Sequence, residues 1–280
     1  MTENINRIFQ ELCRIRTLEE IKLFYFDNPI FDISANNSYA FLLTCYYGHL
    51  EVAKWLLEVN PNIDISAYQE FAFIYSCEKG NLKIAKWLLE IKPNIIISAE
   101  NEYAFRWACK NGHLKVAKWL LKVKPDIDIS LDDEWAFNCA CFNGHLKVAK
   151  WLLEVKPDIN ISAENEDAFL LTCYYGHLKV AKWLLKVKPD IDISVDNEWV
   201  FKCACFTGHL KVAKWLFQVK PDIYIFKYYT DAFRWACENG HLKVAKLLLQ
   251  QNPHHYYIFA NYNLIKFRKT YSKKDQISKI

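Results

Sequence analysis

No run of about 18 apolar residues occurs anywhere in this chain, so no membrane-spanning helix is expected. The opening stretch, MTENINRIFQEL, has no cationic segment followed by an apolar one and does not read as a secretory leader. Net charge is low: 36 basic against 32 acidic residues leave +4, too little by itself to imply nucleic acid. Glycine occurs only seven times and proline eight times in 280 residues. Cysteine is the exception, with ten copies. In a long chain without a leader these thiols are expected to be free, in a reducing compartment.

The scarce residues are periodic. Glycines stand at 48, 80, 112, 144, 176, 208 and 240, and prolines at 29, 61, 93, 125, 157, 189, 221 and 253, each 32 residues after the last. Eight cysteines keep the same phase, at 13, 45, 77, 109, 141, 173, 205 and 237. The phrase GHLKVAKWLL recurs letter for letter at 112–121, 144–153 and 176–185. Every glycine is therefore committed to a repeat, and none is left for a phosphate-binding loop. No Ser/His/Asp arrangement stands out against the period. The reading is non-catalytic, with no cofactor, no metal and no small-molecule substrate.

One period can be read physically. In YAFRWACKN, Ala104, Phe105, Ala108 and Cys109 share one arc of a helix, which predicts a short amphipathic helix. Gly112 then supplies a left-handed stop. In LKVAKWLLKV the apolar residues cover most of the circle and Lys115, Lys118 and Lys122 share a narrow polar stripe, as expected of an inner helix in a stack. Pro125 ends it. PDIDIS is expected to form a short extended finger, tipped by polar residues such as those at 99–102. One such unit cannot bury its own apolar faces; seven stacked in register can.

These residues resemble the ankyrin repeat: Ala108-Cys109, Gly112-His113, Val116-Ala117 and Leu120-Leu121 occupy the places of that family's most recognisable stretch. The Lys-Pro-Asp-Ile finger and the second-helix tryptophan are similar to divergent ankyrin arrays of large DNA viruses and protists. The resemblance implies an all-α repeat solenoid of stacked helix-turn-helix units with short extended β-type fingers, whose first helices line a concave groove. Residues 1–29 read as an N-terminal capping repeat, 30–253 as seven repeats, and 254–280 as a closing helix (258–270) with a basic tail. The sequence departs from the family in three places. Tyr103-Ala104-Phe105-Arg106 replaces the usual Thr-Pro-Leu-His. Lys124-Pro125 replaces the glycine after the second helix. Asn37, Asn101, Asp133, Asn165 and Asn197 replace the finger-tip glycine, and these residue types tolerate left-handed backbone.

The in-phase histidines 49, 113, 145, 177, 209 and 241 have no Cys or carboxylate beside them at metal-ligand spacing and are expected to hydrogen-bond in the turn after the glycine. The in-phase cysteines fall on the buried arc. Cys139 and Cys203 point away from it, which marks them as candidates for reactivity. His254-His255 read as an isolated pair.

Positions that stay fixed between copies hold the stack, and those that differ are free to serve a ligand. The variable face of the first helix carries Tyr39, Leu42 and Tyr46; Phe71, Ile74 and Tyr75; Tyr103, Arg106 and Trp107; Trp135, Asn138, Cys139 and Phe142; Tyr174; Trp199, Lys202, Cys203 and Phe206; and Trp235. Tyr47 and Tyr175 precede the turn glycine and join them. These aromatics are the candidate partner-binding residues. The finger tips are acidic (Glu100, Glu102, Asp132, Asp133, Glu134, Glu164, Glu166, Asp167, Asp196, Glu198) and are expected to form a lip that favours a basic or aromatic partner segment. The expected partner is another protein, with nucleic acid disfavoured and the chain a monomer. The setting is cytoplasmic (host cytoplasm for a viral chain), the nucleus being left open. The alternative is a spacer whose basic back and tail (Lys266, Arg268, Lys269, Lys273, Lys274) dock acidic membrane or nucleic acid.

Overall fold

A computed structural model describes the backbone of residues 2–15, 17–28, 35–220 and 226–251, and side chains within 5–15, 17–28, 39–163, 167–194, 198–220 and 231–250. The described residues form helices alone, in pairs: α1 Thr2–Ile15 with α2 Leu18–Asp27, α3 Ala35–Tyr47 with α4 Leu50–Val59, α5 Ala67–Glu78 with α6 Leu82–Ile91, and α7 Ala99–Lys110 with α8 Leu114–Val123. Then come α9 Leu131–Phe142 with α10 Leu146–Val155, α11 Ala163–Tyr174 with α12 Leu178–Val187, α13 Val195–Phe206 with α14 Leu210–Val219, and α15 Phe226–Glu238 with α16 Leu242–Gln251. The chain divides into two compact units, residues 1–140 with 147–157 and residues 141–146 with 158–280. Each is a stretch of helix-turn-helix solenoid. The repeat boundaries at 29 and 253, the closing helix at 258–270, the basic tail and His254-His255 lie outside the described residues.

Each turn follows from its glycine. The seven glycines have φ from 74° to 89°. In this conformation the His113 N–H reaches back to the Ala108 carbonyl at 2.8 Å, closing the last turn of α7. The second helix then runs ten residues to the Lys-Pro stop, where the Lys124 N–H still bonds Leu120 O at 2.9 Å.

The finger is not extended. PDIDIS folds into two tight turns, and the described residues hold no strand. A second acidic or amide residue caps the second turn where it is present: Asp128 Oδ1 accepts from the Ser130 N–H at 3.0 Å, and Asp64, Asn160 and Asp192 do the same for Ser66, Ser162 and Ser194. PNIIIS at 93–98 makes the same turns with Ile96 in that place. The tip that follows is left-handed over three successive residues, Glu100-Asn101-Glu102, with φ of 53°, 55° and 59°. Tyr68-Gln69-Glu70 and Asp132-Asp133-Glu134 repeat it. Each such residue costs about 1–2 kcal/mol, and the turn is closed by the Glu102 N–H on Ser98 O at 3.2 Å.

The stack is held by an aromatic pair that repeats at a constant offset. In the first unit Phe41 meets Trp87 at 6.3 Å between ring centres, Phe73 meets Trp119 at 6.1 Å and Phe105 meets Trp151 at 6.3 Å. In the second unit Phe169 meets Trp215 at 6.2 Å. The first-helix phenylalanine of one repeat thus packs on the second-helix tryptophan of the next. These phenylalanines are fully buried, and such a pair adds about 0.5–1.5 kcal/mol beyond its buried area.

Candidate functional site

The first helices turn one face to the core and the other outward. Ala104, Phe105, Ala108 and Cys109 of α7 are buried, whereas Tyr103, Arg106, Trp107 and Lys110 are partly open. In the first unit the outward aromatics form two ring clusters, one around Tyr46 and Tyr75 and one from Tyr103 to Trp135. Tyr46 packs edge-on against Tyr47 at 4.8 Å and Tyr75 at 5.5 Å. Phe71 meets Tyr75 at 5.1 Å, Tyr103 stacks on Trp107 at 4.9 Å, and Trp107 meets Trp135 at 6.0 Å. Tyr39 is exposed and lies near Tyr75. Burial and the neighbouring Glu78 push the Tyr75 and Tyr103 phenols above their ordinary value, so both remain hydrogen-bond donors.

In the second unit Phe142 meets Tyr175 at 5.9 Å and Tyr174 meets Tyr175 at 5.1 Å. Trp235 packs edge-on against both Trp199 at 5.8 Å and Phe206 at 6.0 Å. Tyr39, Tyr47, Tyr175, Trp199 and Phe206 are exposed and the remaining rings half-buried. All fourteen aromatics singled out from the sequence are thus on the outward face, none in the core.

The same face carries cations that sequence reasoning left apart from the rings. Lys110 Nζ sits 3.6 Å from the Trp107 ring centre, the Arg106 guanidinium 4.5 Å from that of Trp135, Lys79 Nζ 4.4 Å from that of Tyr46, and Lys202 Nζ 5.6 Å from that of Trp199. The spacing contained part of this signal: Lys110 and Lys202 each stand three residues, one helical turn, after the tryptophan they contact. Arg106 also pairs with Asp132 at 2.7 Å and Lys79 with Glu78 at 3.1 Å.

Four expectations are corrected. Leu42 and Ile74 are buried, whereas Arg106, at the same place in its own repeat, is partly open. Cys139 and Cys203 are 2% and 3% exposed, and burial raises their thiols to about 12 and about 11, so neither is a reactive thiolate. The neighbouring Lys110 and Arg106 act the other way on Cys139, too weakly to offset burial.

Glu102, Glu134 and Glu198 are not lip residues; the left-handed tip turns them inward and buries them. Glu102 accepts from the Asp128 N–H of the next finger and faces Lys124, Glu70 accepts from the equivalent Ile96 N–H at 3.5 Å, and Glu198 pairs with Lys220 at 2.9 Å. The lysine that replaces the family's glycine is thus the direct cation for Glu198, while Lys124, near Glu102, bonds Asp126 of its own finger at 2.9 Å. Glu100, Asp132 and Asp133 remain exposed and Asp167 half-buried; the side chains of Glu164, Glu166 and Asp196 lie outside the described residues.

The histidines, finally, bond across repeats rather than within their own turn. His49 Nε2 donates to Arg14 O at 3.0 Å, 35 residues back. His113, His177 and His209 reach the carbonyls of Glu78, Phe142 and Tyr174 at the same offset. Where the repeat has asparagine, Asn81 Nδ2 donates to Cys45 O at 3.0 Å and Tyr46 O at 2.9 Å.

Among the described residues no group of three His, Cys, Asp or Glu side chains could hold a metal ion, and no helix is long and apolar enough to cross a membrane. No curated protein matches the sequence. The solved ankyrin repeat domain of human ASB11 is similar in fold, with a TM-score of 0.55 at 18% identity over 76% of this chain and 97% of that one. The family model for ankyrin repeats (three copies) matches residues 12–99, 92–163, 139–227 and 169–258. With the helix pairs, the glycine turns and the Phe–Trp stack already in place, that match shows that this chain belongs to the ankyrin repeat family.

Proposed function

We propose that the chain is a non-catalytic scaffold that binds another protein on the outward aromatic face of its first helices. The observation that carries this reading is the contrast between adjacent positions. Phe73, Phe105, Phe137 and Phe169 are identical and buried, while the outward positions next to them change from copy to copy and hold the half-exposed ring clusters. Rings held edge-on against one another are already ordered, so a partner laid on them loses less entropy than on mobile side chains. The exposed tip acids Glu100 and Asp133 flank this face. The absence of chemistry is supported by the commitment of all seven glycines to turns and the burial of all ten thiols.

Alanine at Trp107 or Trp135 should weaken partner capture by more than about 1 kcal/mol while leaving the helical signal and unfolding midpoint nearly unchanged. Capture unaffected by both substitutions would remove the basis of the proposal. A second reading has one observation in its favour: Lys118, Lys150 and Lys182 are each exposed on their second helix. Docking of that back to an acidic membrane or nucleic acid predicts binding that falls steeply with salt.

A further inference from the structure

Lys110 is the last residue of α7, and its ammonium is held by rings. Nζ lies 3.6 Å from the Trp107 ring centre and 5.6 Å from that of Trp135, both within reach of a cation–π contact. The other cations of this face already have oxygen partners. Arg106 pairs with Asp132 at 2.7 Å and donates to the Asn101 carbonyl at 3.3 Å, and Lys79 pairs with Glu78 at 3.1 Å. Half-buried Lys110 takes neither a hydrogen bond nor an ion pair among the described residues. Its three N–H donors are left to solvent or to a ligand. The arrangement occurs once. The other repeats with a turn glycine hold Tyr46, Glu78, Phe142, Tyr174, Phe206 and Glu238 at this position, none of them a cation. Trp235, in phase with Trp107, is followed three residues on by Glu238 instead.

An ammonium resting on two rings is a preordered donor, so little side-chain freedom is lost when an anion reaches it. Its surroundings limit which anion that is. Asp132, Asp133 and Glu100 are exposed on the neighbouring tips and repel a chain of phosphates. One unpaired ammonium is matched by one carboxylate. The half-buried rings of Trp107 and Trp135, 6.0 Å apart, offer apolar area to the residue next to that carboxylate. We propose that the partner sets one Asp or Glu side chain against Lys110 and lays an adjacent large apolar residue on Trp107 and Trp135. The centre of this face thus takes an acidic-apolar segment, in place of the basic one that the acidic tips suggest. The proposal rests on the aromatic face being the partner-binding surface and names the chemistry of its partner.

Random short peptides displayed on phage and selected on the full 280-residue chain test it. Clones whose binding is lost with Trp107→Ala should carry Asp or Glu beside Trp, Phe, Leu or Ile. One such peptide is synthesised and titrated by fluorescence anisotropy. Lys110→Gln should raise its dissociation constant by about tenfold or more while circular dichroism and the unfolding midpoint hold. Changing the peptide's acid to its amide should cost as much on the wild type and almost nothing further on Lys110→Gln, since both remove one contact. Lys115→Gln makes the same change of net charge at an exposed position of α8 and should leave binding as it was. Trp107-dependent clones rich in Lys or Arg overturn the proposal while the aromatic face stands. So do additive losses from Lys110→Gln and the peptide amide, or a loss with Lys115→Gln equal to that with Lys110→Gln. Tighter binding of an oligouridylate than of the peptide, abolished by Lys110→Gln, overturns it in favour of nucleic acid. A selection without any clone that depends on Trp107 or Trp135 removes the aromatic face itself, and the proposal with it.

Discussion

The imidazole of His113 lies on Gly80 of the preceding repeat, its Nδ1 only 2.5 Å from the point where a β-carbon on that glycine would stand. The glycine is therefore required twice, once for its φ of 78° and once for the ring that rests on it. Gly80→Ala should destabilise the chain by more than the left-handed cost of about 1–2 kcal/mol. In a double-mutant cycle with His113→Ala the excess should disappear, since the clash goes with the ring. Urea unfolding of the four variants measures it; additive losses would show that the ring and the glycine are independent.

The histidine staple makes stability fall in mild acid. Burial lowers the imidazoles of His113, His177 and His209 below their ordinary value of 6.5, and the accepting carbonyls only partly offset it. The unfolded chain therefore binds protons more readily than the folded one as pH drops through 6.5, so stability present at neutral pH is lost on the way down. Glu102 works in the opposite sense, because burial raises its carboxyl and acid neutralises it in place. Asparagine already performs the histidine's task at position 81. His113→Asn should thus hold most of the stability at pH 7 and flatten the acid loss, read as unfolding midpoint against pH.

Two tip glutamates should answer oppositely to loss of charge. Glu102 Oε2 is buried with no hydrogen-bond partner among the described residues, and burial disfavours its ionised form. Glu102→Gln should cost nothing or stabilise. Glu198 Oε2 is likewise buried with no hydrogen-bond partner among the described residues, but its Oε1 holds the Lys220 ammonium at 2.9 Å with its own side chain 8% exposed. Glu198→Gln should cost about 1.5–3 kcal/mol, the range for a hydrogen bond to a charged group. Equal effects at the two sites would contradict the staple assigned to Lys220.

All ten cysteines are buried, including the two that the helical arc placed outward. A thiol reagent at neutral pH should label none of them in the folded chain and all ten in denaturant. Prompt native labelling at Cys139 or Cys203 would reinstate the reactivity expected from their position on the helix.

Much of this was legible in the sequence. The positions of Gly112 and Pro125 define where helices stop, and the arc through Phe105 and Cys109 defines what is buried. What escaped is contact between repeats, which no single period contains. His113 finds its acceptor 35 residues back at Glu78, and Phe105 finds Trp151 in the repeat ahead. The tip glutamates look like solvent-facing charge because three successive left-handed residues are not expected outside glycine. Yet Glu70, Glu102, Glu134, Glu166 and Glu198 keep phase, each four residues after a serine. By the rule that fixed positions hold the stack, that constancy marked them as structural. The finger was misread because alternation in PDIDIS suggests a strand, whereas the segment folds into two turns even where Ile96 replaces the Asp or Asn that caps the serine N–H elsewhere.

The central claim is that the repeated phrase is scaffold and the variable aromatic face is the working surface. A single comparison decides between them. Two sets of variants, Trp107→Ala with Trp135→Ala on the first-helix face and Lys118→Ala with Lys150→Ala on the repeated second-helix stripe, are matched for retained fold. Their affinity for a partner captured by the wild-type chain is then measured. The account predicts that the aromatic pair lowers affinity by about tenfold or more, a loss of about 1.4 kcal/mol, and that the lysine pair leaves it unchanged. Loss with the lysine pair and retention with the aromatic pair would place the working surface on the repeated phrase and contradict the account.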